Sequence, residues 1–321
     1  MQPPFNAQRR KSLQTLTSLV SGAALSSAWP LCAGAQDKPA LLTRAIPRTG
    51  EKLAVVGLGT QFVLDVGDDL DKRKVRIAMI RTLLDNGGSV IDTAPSYGPA
   101  ETQLGSMLDE MKARERVFLS TKFRAPGRDG ALGETRESLK KLRTQKLDLL
   151  LRHNIGFVSK SEADTHLAVA REWKSQGVCR YIGVTHSQDQ ARANDRLIEM
   201  LRTEKLDFIQ VSYSMAERSV EDKLLAVAAD TGTAVMCNLP FARAALFKAV
   251  AGKPVPEWAK EFDATTWGQF FLKYLIAHPS VNVVIPGTDR VEHMLDNIEA
   301  GRTRLPNAAQ RKRMVEFIGA V

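Results

Sequence analysis

Cysteine is scarce in this chain, with three in 321 residues, and histidine nearly so, with five. They form no zinc-spaced set, so no metal centre is expected. Cys179 and Cys237 lie beside predicted core strands, which suits two buried thiols better than a disulfide. Aromatic residues make up only 6%, and the formal net charge of +9 is spread along the chain. Nucleic-acid binding wants a basic stripe with aromatics for stacking, so no such partner is expected. No uninterrupted apolar run approaches the ~20 residues that span a bilayer, which argues against a stable membrane anchor. No P-loop is present. Gly57-Leu58-Gly59-Thr60 is a lone G-x-G without the third glycine of a dinucleotide-binding fingerprint.

The first 35 residues contain no acid. They carry Arg9, Arg10 and Lys11, then a modest Ser/Ala-rich apolar stretch, then Ala33-Gly34-Ala35. A positive region, an apolar region and a small-x-small exit make an export signal, here with adjacent arginines of the twin-arginine kind. Cleavage is expected after Ala35, with export machinery as a partner and the periplasm as destination. That route carries proteins already folded, and so suits an enzyme that loads a nucleotide first. Residues 36–50, with Pro39, Pro47 and Gly50, read as a linker, and residues 51–321 as one domain.

Over that domain, apolar runs of strand length alternate with helical patterns. Strands are expected at 53–56, 90–92, 117–122, 147–153, 181–185, 208–212, 234–238 and 281–285. Helices are expected at 70–86, 101–113, 134–144, 162–176, 189–202, 220–231, 267–277, 291–300 and 307–318. Eight such units in about 270 residues predict an α/β fold of the (β/α)8 TIM-barrel type rather than an open doubly wound sheet. Asp92, Tyr97, Lys122 and His153 end three successive runs or follow them closely. Strand C-termini of a parallel barrel open on one face, and that face carries the chemistry. A carboxylate, a phenol, an amine and an imidazole converging there predict an acid–base enzyme. Singly, each has an ordinary structural reading: a turn or helix cap, a half-buried aromatic, a surface lysine, a core histidine.

Seven ordered segments carry a resemblance to a known family. They are Gly57-Leu58-Gly59-Thr60; Ile91-Asp92-Thr93-Ala94 with Tyr97-Gly98 and Glu101; Thr121-Lys122; Leu147-Asp148-Leu149 with His153; Gly177 through Thr185; Phe208-Ile209-Gln210-Val211 with Tyr213-Ser214; and Ile285-Pro286-Gly287-Thr288 with Asp296-Asn297. Over residues 50–321 the chain resembles the aldo-keto reductases. The resemblance implies reduction of an aldehyde or ketone with a nicotinamide cofactor, NADPH by preference and NADH possible. Hydride arrival leaves charge on the carbonyl oxygen, which needs a proton. By resemblance Tyr97 gives that proton. Lys122 is expected to lower the phenol's pKa, Asp92 to hold Lys122 charged, and His153 to orient the carbonyl.

The resemblance also implies cofactor contacts. Tyr213 is expected to stack on the nicotinamide, and Thr185, His186 and Gln210 to hold its carboxamide. Gly59 and Thr60 belong to the same site, and Asn238 and Leu239 lie near the pyrophosphate. Gly287 and Thr288 open a phosphate-holding helix, Arg290 pairs a 2′-phosphate, and Asp296 and Asn297 meet the adenine. Three residues depart from the family pattern: His186, Asp289 and His293. The alternative is a non-catalytic nicotinamide-nucleotide-binding regulatory module; a barrel hydrolase fits poorly, since a lysine keeps Asp92 ionised. The short C-terminus suggests an open pocket. The 252–266 insertion, with Trp258 and Phe262, is expected to cover either the pocket or the cofactor.

Overall fold

The computed structural model describes residues 39–320; the expected export signal at 1–35 lies outside the described residues. The chain first forms an antiparallel hairpin, β1 (Thr43–Ala45) and β2 (Lys52–Ala54). Eight parallel strands follow among the described residues: β3 (Leu58–Gly59), β4 (Val90–Asp92), β5 (Phe118–Phe123), β6 (Leu147–Arg152), β7 (Cys179–His186), β8 (Phe208–Ser212), β9 (Ala234–Asn238) and β10 (Val281–Val284). They pair in chain order. Val56 bridges Val284, and the Gly57 N–H donates to the Val284 carbonyl at 2.9 Å, closing the sheet into the expected (β/α)8 barrel.

Two expectations are corrected here. The run at 53–56 is not the first barrel strand: its first half pairs with β1, its second half meets β10, and the first barrel strand is β3. Nor do the described residues of 36–50 form a linker. Ile46 and Leu53 sit fully inside, clustered with Val90, Phe118, Leu149, Leu151, Phe208 and Met236, so the hairpin plugs the N-terminal mouth. The Arg44 guanidinium locks it there by donating to the carbonyls of Ile276 (2.6 Å), His278 (2.7 Å) and Val281.

Ten α-helices wrap the described barrel: α1 (Leu70–Asp85), α2 (Ala100–Glu110), α3 (Gly127–Lys141), α4 (Lys160–Ser175), α5 (Gln190–Thr203), α6 (Leu224–Asp230), α7 (Ala245–Ala249), α8 (Trp267–Ile276), α9 (Val291–Glu299) and α10 (Ala308–Gly319). The expected helices are present within a few residues, except that α3 begins seven residues early and α7 was not expected. Gly127, Gly130 and Gly133 hide the start of α3, because glycine is a poor helix former. The Gly127 N–H is instead held by the Glu162 carboxylate at 3.0 Å, a contact from a distant helix. Among the described residues no helix is long and apolar enough to cross a membrane.

Side chains on a strand alternate between faces. Ile209, Val211 and Tyr213 therefore pack outward into the layer under the helices, as do Val235 and Cys237. Phe208, Ala234, Met236, Val283 and Ile285 point to the axis. Along the axis the lower levels are apolar. The upper level, at the strand C-termini, holds Asp92 in contact with both Lys122 and Gln210.

Candidate active site

Asp92 ends β4 and Lys122 lies near the end of β5, on the same inward parity. The Lys122 ammonium is wholly buried and donates to Asp92 Oδ2 at 2.5 Å and to the Thr93 carbonyl at 2.8 Å. The other Asp92 oxygen accepts from Ser120 Oγ (2.8 Å) and Gln210 Nε2 (3.0 Å). A charge so deeply buried persists only if paired and hydrogen-bonded, and this one is. Tyr97, half-buried in the loop after β4, places its ring centroid 5.0 Å from Lys122 Nζ. His153, directly after β6, stands edge-on to that ring at 6.1 Å between centroids. The four residues expected to converge do so, at one end of the barrel.

Their protonation states differ from one expectation. Burial raises the Tyr97 pKa above its ordinary value of 10.0; Lys122 and, more weakly, Arg243 pull it down without winning. Lys122 thus softens the phenol, but desolvation is the larger effect and the net shift is upward. Burial would strip the proton from Lys122, yet Asp92 and Tyr97 hold its pKa above 10.5. Burial also pushes His153 down to about 3, helped by the positive charges of Lys122, Arg124 and Arg152. Near neutrality the site therefore holds a phenol with its proton, an ammonium and a neutral imidazole whose Nδ1 has no hydrogen-bond partner among the described residues. The pH dependence follows. An acid whose folded pKa is raised keeps its proton until alkaline pH, and a depressed histidine stays neutral above mildly acidic pH. Carbonyl reduction is expected to keep a constant kcat/KM from about pH 5 to 9 and to fall above about 10. An ionisation near 7 in that profile would contradict these protonation states.

Two cavities meet at Tyr97. A cleft of about 410 Å³ is lined by Gly59, Gln61, Phe62, Asp92, Tyr97, Asn238, Leu239, Phe241, Arg243, Phe247 and Gly287, among others. A more polar cavity of about 260 Å³ lies on the His153 side, lined also by Arg124, Asn154, Ser187 and Gln188. Beyond Phe241, Phe247 and Gly287 the cleft continues into a third space of about 650 Å³, bordered by Thr288, His293, Asp296 and Asn297. An extended path from the phenol to Asn297, passing two glycines, fits a long dinucleotide. The hydroxyl of Thr60, buried beside Gly59, has no hydrogen-bond partner among the described residues, though it does not border these cavities.

The expected cofactor residues divide accordingly. Gly59, Asn238, Leu239, Gly287, Thr288, Asp296 and Asn297 border this path. Thr60, Thr185, His186 and Gln210 are buried and border none of the three cavities. Thr185 Oγ1 and Asn238 Nδ2 donate to Gln210 Oε1 at 3.1 and 3.3 Å, so the Gln210 amide serves the site's own framework. His186 turns outward, where its Nδ1 accepts from the Gly156 N–H at 3.2 Å and its ring meets Phe157.

Tyr213 is corrected. Its outward parity places it against Tyr274 and His278, with its hydroxyl bonded to Glu221 and Arg311. It is fully buried and presents no face to a nucleotide. At the matching strand end of β9, Asn238 points inward and lines both cavities that meet at Tyr97. Arg290 is exposed at the start of α9 and borders none of the three cavities, whereas His293 borders the far one. Asp289 is paired with Arg76 at 3.4 Å, and the Asp296 carboxylate is occupied by Thr266 and Gln269. The 252–266 segment covers neither pocket nor cofactor path by way of its aromatics. Trp258 and Phe262 pack with Phe270, and Trp258 also meets Phe317 of α10.

Sequence reasoning placed Leu239 near the pyrophosphate but missed the rest of the loop after β9, Arg243 above all. Leu239, Ala242, Arg243 and Ala244 all take left-handed backbone conformations, φ 48–68°, without being glycine. Such strain gathers at functional loops, but composition does not announce it. Its position after a strand C-terminus was the available signal.

The sequence profile of the Aldo/keto reductase family matches residues 56–316. Aldo-keto reductase YhdN of Bacillus subtilis is 29% identical over 231 residues, covering 68% of this chain and 66% of the relative. Methylglyoxal reductase YeaE of Escherichia coli is 29% identical over 262 residues, 80% of this chain and 88% of the relative. The crystal structure of an aldo-keto reductase from Klebsiella pneumoniae in complex with NADPH superposes with a TM-score of 0.67 at 25% identity, over 84% of this chain and 92% of that one. Because the profile spans most of the chain and the barrel closes as in that relative, the protein belongs to the aldo/keto reductase family.

Proposed function

We propose that this chain reduces an aldehyde or ketone to an alcohol, with NADPH as hydride source and Tyr97 as general acid. The observation that carries it is a phenol still holding its proton above a buried Lys122–Asp92 pair, beside a neutral imidazole, where a nucleotide-length cleft meets a polar cavity. The nucleotide supplies a hydride to the carbonyl carbon. Tyr97 and His153 hold the carbonyl oxygen, and Tyr97 passes its proton there as charge develops. Lys122 stabilises the phenolate left behind, and Asp92 keeps Lys122 charged. Gly59, Leu239, Gly287 and Asn297 border the nucleotide's path. NADPH is favoured over NADH by the Klebsiella relative's bound cofactor, and His293 borders the far end of the path.

Micromolar NADPH is expected to change its fluorescence on titration with the protein, more strongly than NADH, and a carbonyl panel to show repeated turnover. Absent binding removes the reading. Binding without turnover favours a regulatory nucleotide-binding module instead.

The twin-arginine leader belongs to the same proposal: the barrel would load its nucleotide in the cytoplasm and cross folded. Changing Arg9 and Arg10 together to Lys is then expected to retain the protein in the cytoplasmic fraction. Unchanged export would refute that route.

A further inference from the structure

The polar cavity beside Tyr97 and His153 carries two guanidinium groups, Arg124 and Arg243, and no acidic side chain lines it. Neither guanidinium has an ion pair or hydrogen bond among the described residues. Many other arginines of this chain do: Arg73, Arg114, Arg180 and Arg304, for example, each hold a carboxylate. Arg124 follows β5 two residues after Lys122, so it shares the axial parity of the catalytic lysine. Its backbone N–H is fixed by the Glu134 carboxylate at 2.5 Å, and the next N–H by the same oxygen at 2.8 Å. Glu134 thus grips the backbone and leaves the guanidinium without a paired carboxylate. Lys122 is already neutralised by Asp92. A cavity with two free positive charges and a neutral imidazole recruits an anion.

We infer, resting on the reductase reading above, that the preferred substrate is an aldehyde or ketone bearing an anionic group, a carboxylate or a phosphate ester, which Arg124 binds while its carbonyl oxygen meets Tyr97. Arg124 is assigned the anion because it lines the polar cavity and not the cofactor cleft, whereas Arg243 lines both. A guanidinium matches the planar fork of a carboxylate and also pairs phosphate. The reaction balances without involving the anion. The carbonyl carbon gains the hydride of the reduced nicotinamide nucleotide. The π electrons move to oxygen, which takes the Tyr97 proton, and the phenolate regains a proton from water.

The test compares kcat/KM within pairs that share a carbon skeleton: 4-oxobutanoate against butanal, and glyceraldehyde 3-phosphate against glyceraldehyde. The anionic member of at least one pair is expected to lead by roughly 10- to 100-fold, the scale of a charge-assisted hydrogen bond. Which pair shows the lead identifies carboxylate or phosphate. Raising the salt from 0.05 to 0.5 M should shrink the lead, because an exposed charge pair is screened. In R124Q the ratio should fall towards one, and R124E should invert it. Because only a ratio is read, a general loss of activity in either variant does not obscure the result. Equal kcat/KM within both pairs, or a ratio unmoved in both variants, overturns this inference and leaves the reductase intact. No turnover of any of the four compounds removes the reductase reading and this inference with it.

Discussion

Tyr97→Phe is expected to lower the kcat for carbonyl reduction by about 10²–10⁴-fold, the range general acid catalysis contributes, while NADPH still binds. The change removes one hydroxyl from a ring that is only half-buried, so folding and cleft shape should be kept. Its effect is chemical: without the phenol no group at this position can protonate the alkoxide. His153 cannot substitute, since burial and the surrounding cations hold it neutral, with a pKa of about 3. Lys122 is a poor substitute, as its proton is held by Asp92 and its own pKa is raised. The decisive measurements are single-turnover reduction and a cofactor titration on the same preparation. Reduction within a factor of two of wild type would remove Tyr97 from its role.

Lys122→Met should lose turnover and also stability. Lys122 Nζ and the Asp92 carboxylate are both removed from water, 2.5 Å apart. Deleting one partner of a buried pair leaves the other uncompensated, at a cost of about 3–5 kcal/mol. For a domain of this size that lowers Tm by roughly 6–20 °C. The loss has a pH signature. A carboxylate stranded in a buried site without its ammonium costs less protonated than charged, so proton binding favours the folded variant. Stability then falls as pH rises, and the deficit should be larger at pH 8 than at pH 5. Adding Asp92→Asn removes the stranded charge and should restore much of the Tm while turnover stays lost. A Lys122→Met protein as stable as wild type at pH 8 would show that the pair is not carrying a buried charge. If the double variant regained turnover, the assignment of Lys122 to the chemistry would be wrong.

The barrel and the clustering of four polar residues are legible in the sequence because both depend on short-range order. Strand-length apolar runs alternate with amphipathic stretches, and the alternation alone selects the (β/α)8 class. Asp92, Tyr97, Lys122 and His153 then come together through one topological rule, that parallel strand ends share a face. Strand parity would have corrected Tyr213 as well: counting from the axial Phe208, positions 210 and 212 face inward and 213 faces out. Asn238 follows from the same count along β9.

Other features depended on contacts between segments far apart in the chain. Residues 39–50 look like a linker because their prolines and Gly50 are local signals. Their anchoring comes through Arg44 from carbonyls of Ile276, His278 and Val281, more than 230 residues away. The start of α3 needed Glu162, and the left-handed residues Leu239, Ala242, Arg243 and Ala244 needed the packing around them to hold the strain. The direction of the Tyr97 shift also lay beyond the sequence, because desolvation and a neighbouring ammonium oppose each other and only their depth and distance decide between them. Residue order along the chain determined the architecture and its chemical groups, since both arise from periodicity and strand direction. Tertiary structure alone decided which side chains border the cleft, which charges remain unpaired, and which protons stay on, since these depend on how far each group lies from water and from its partners.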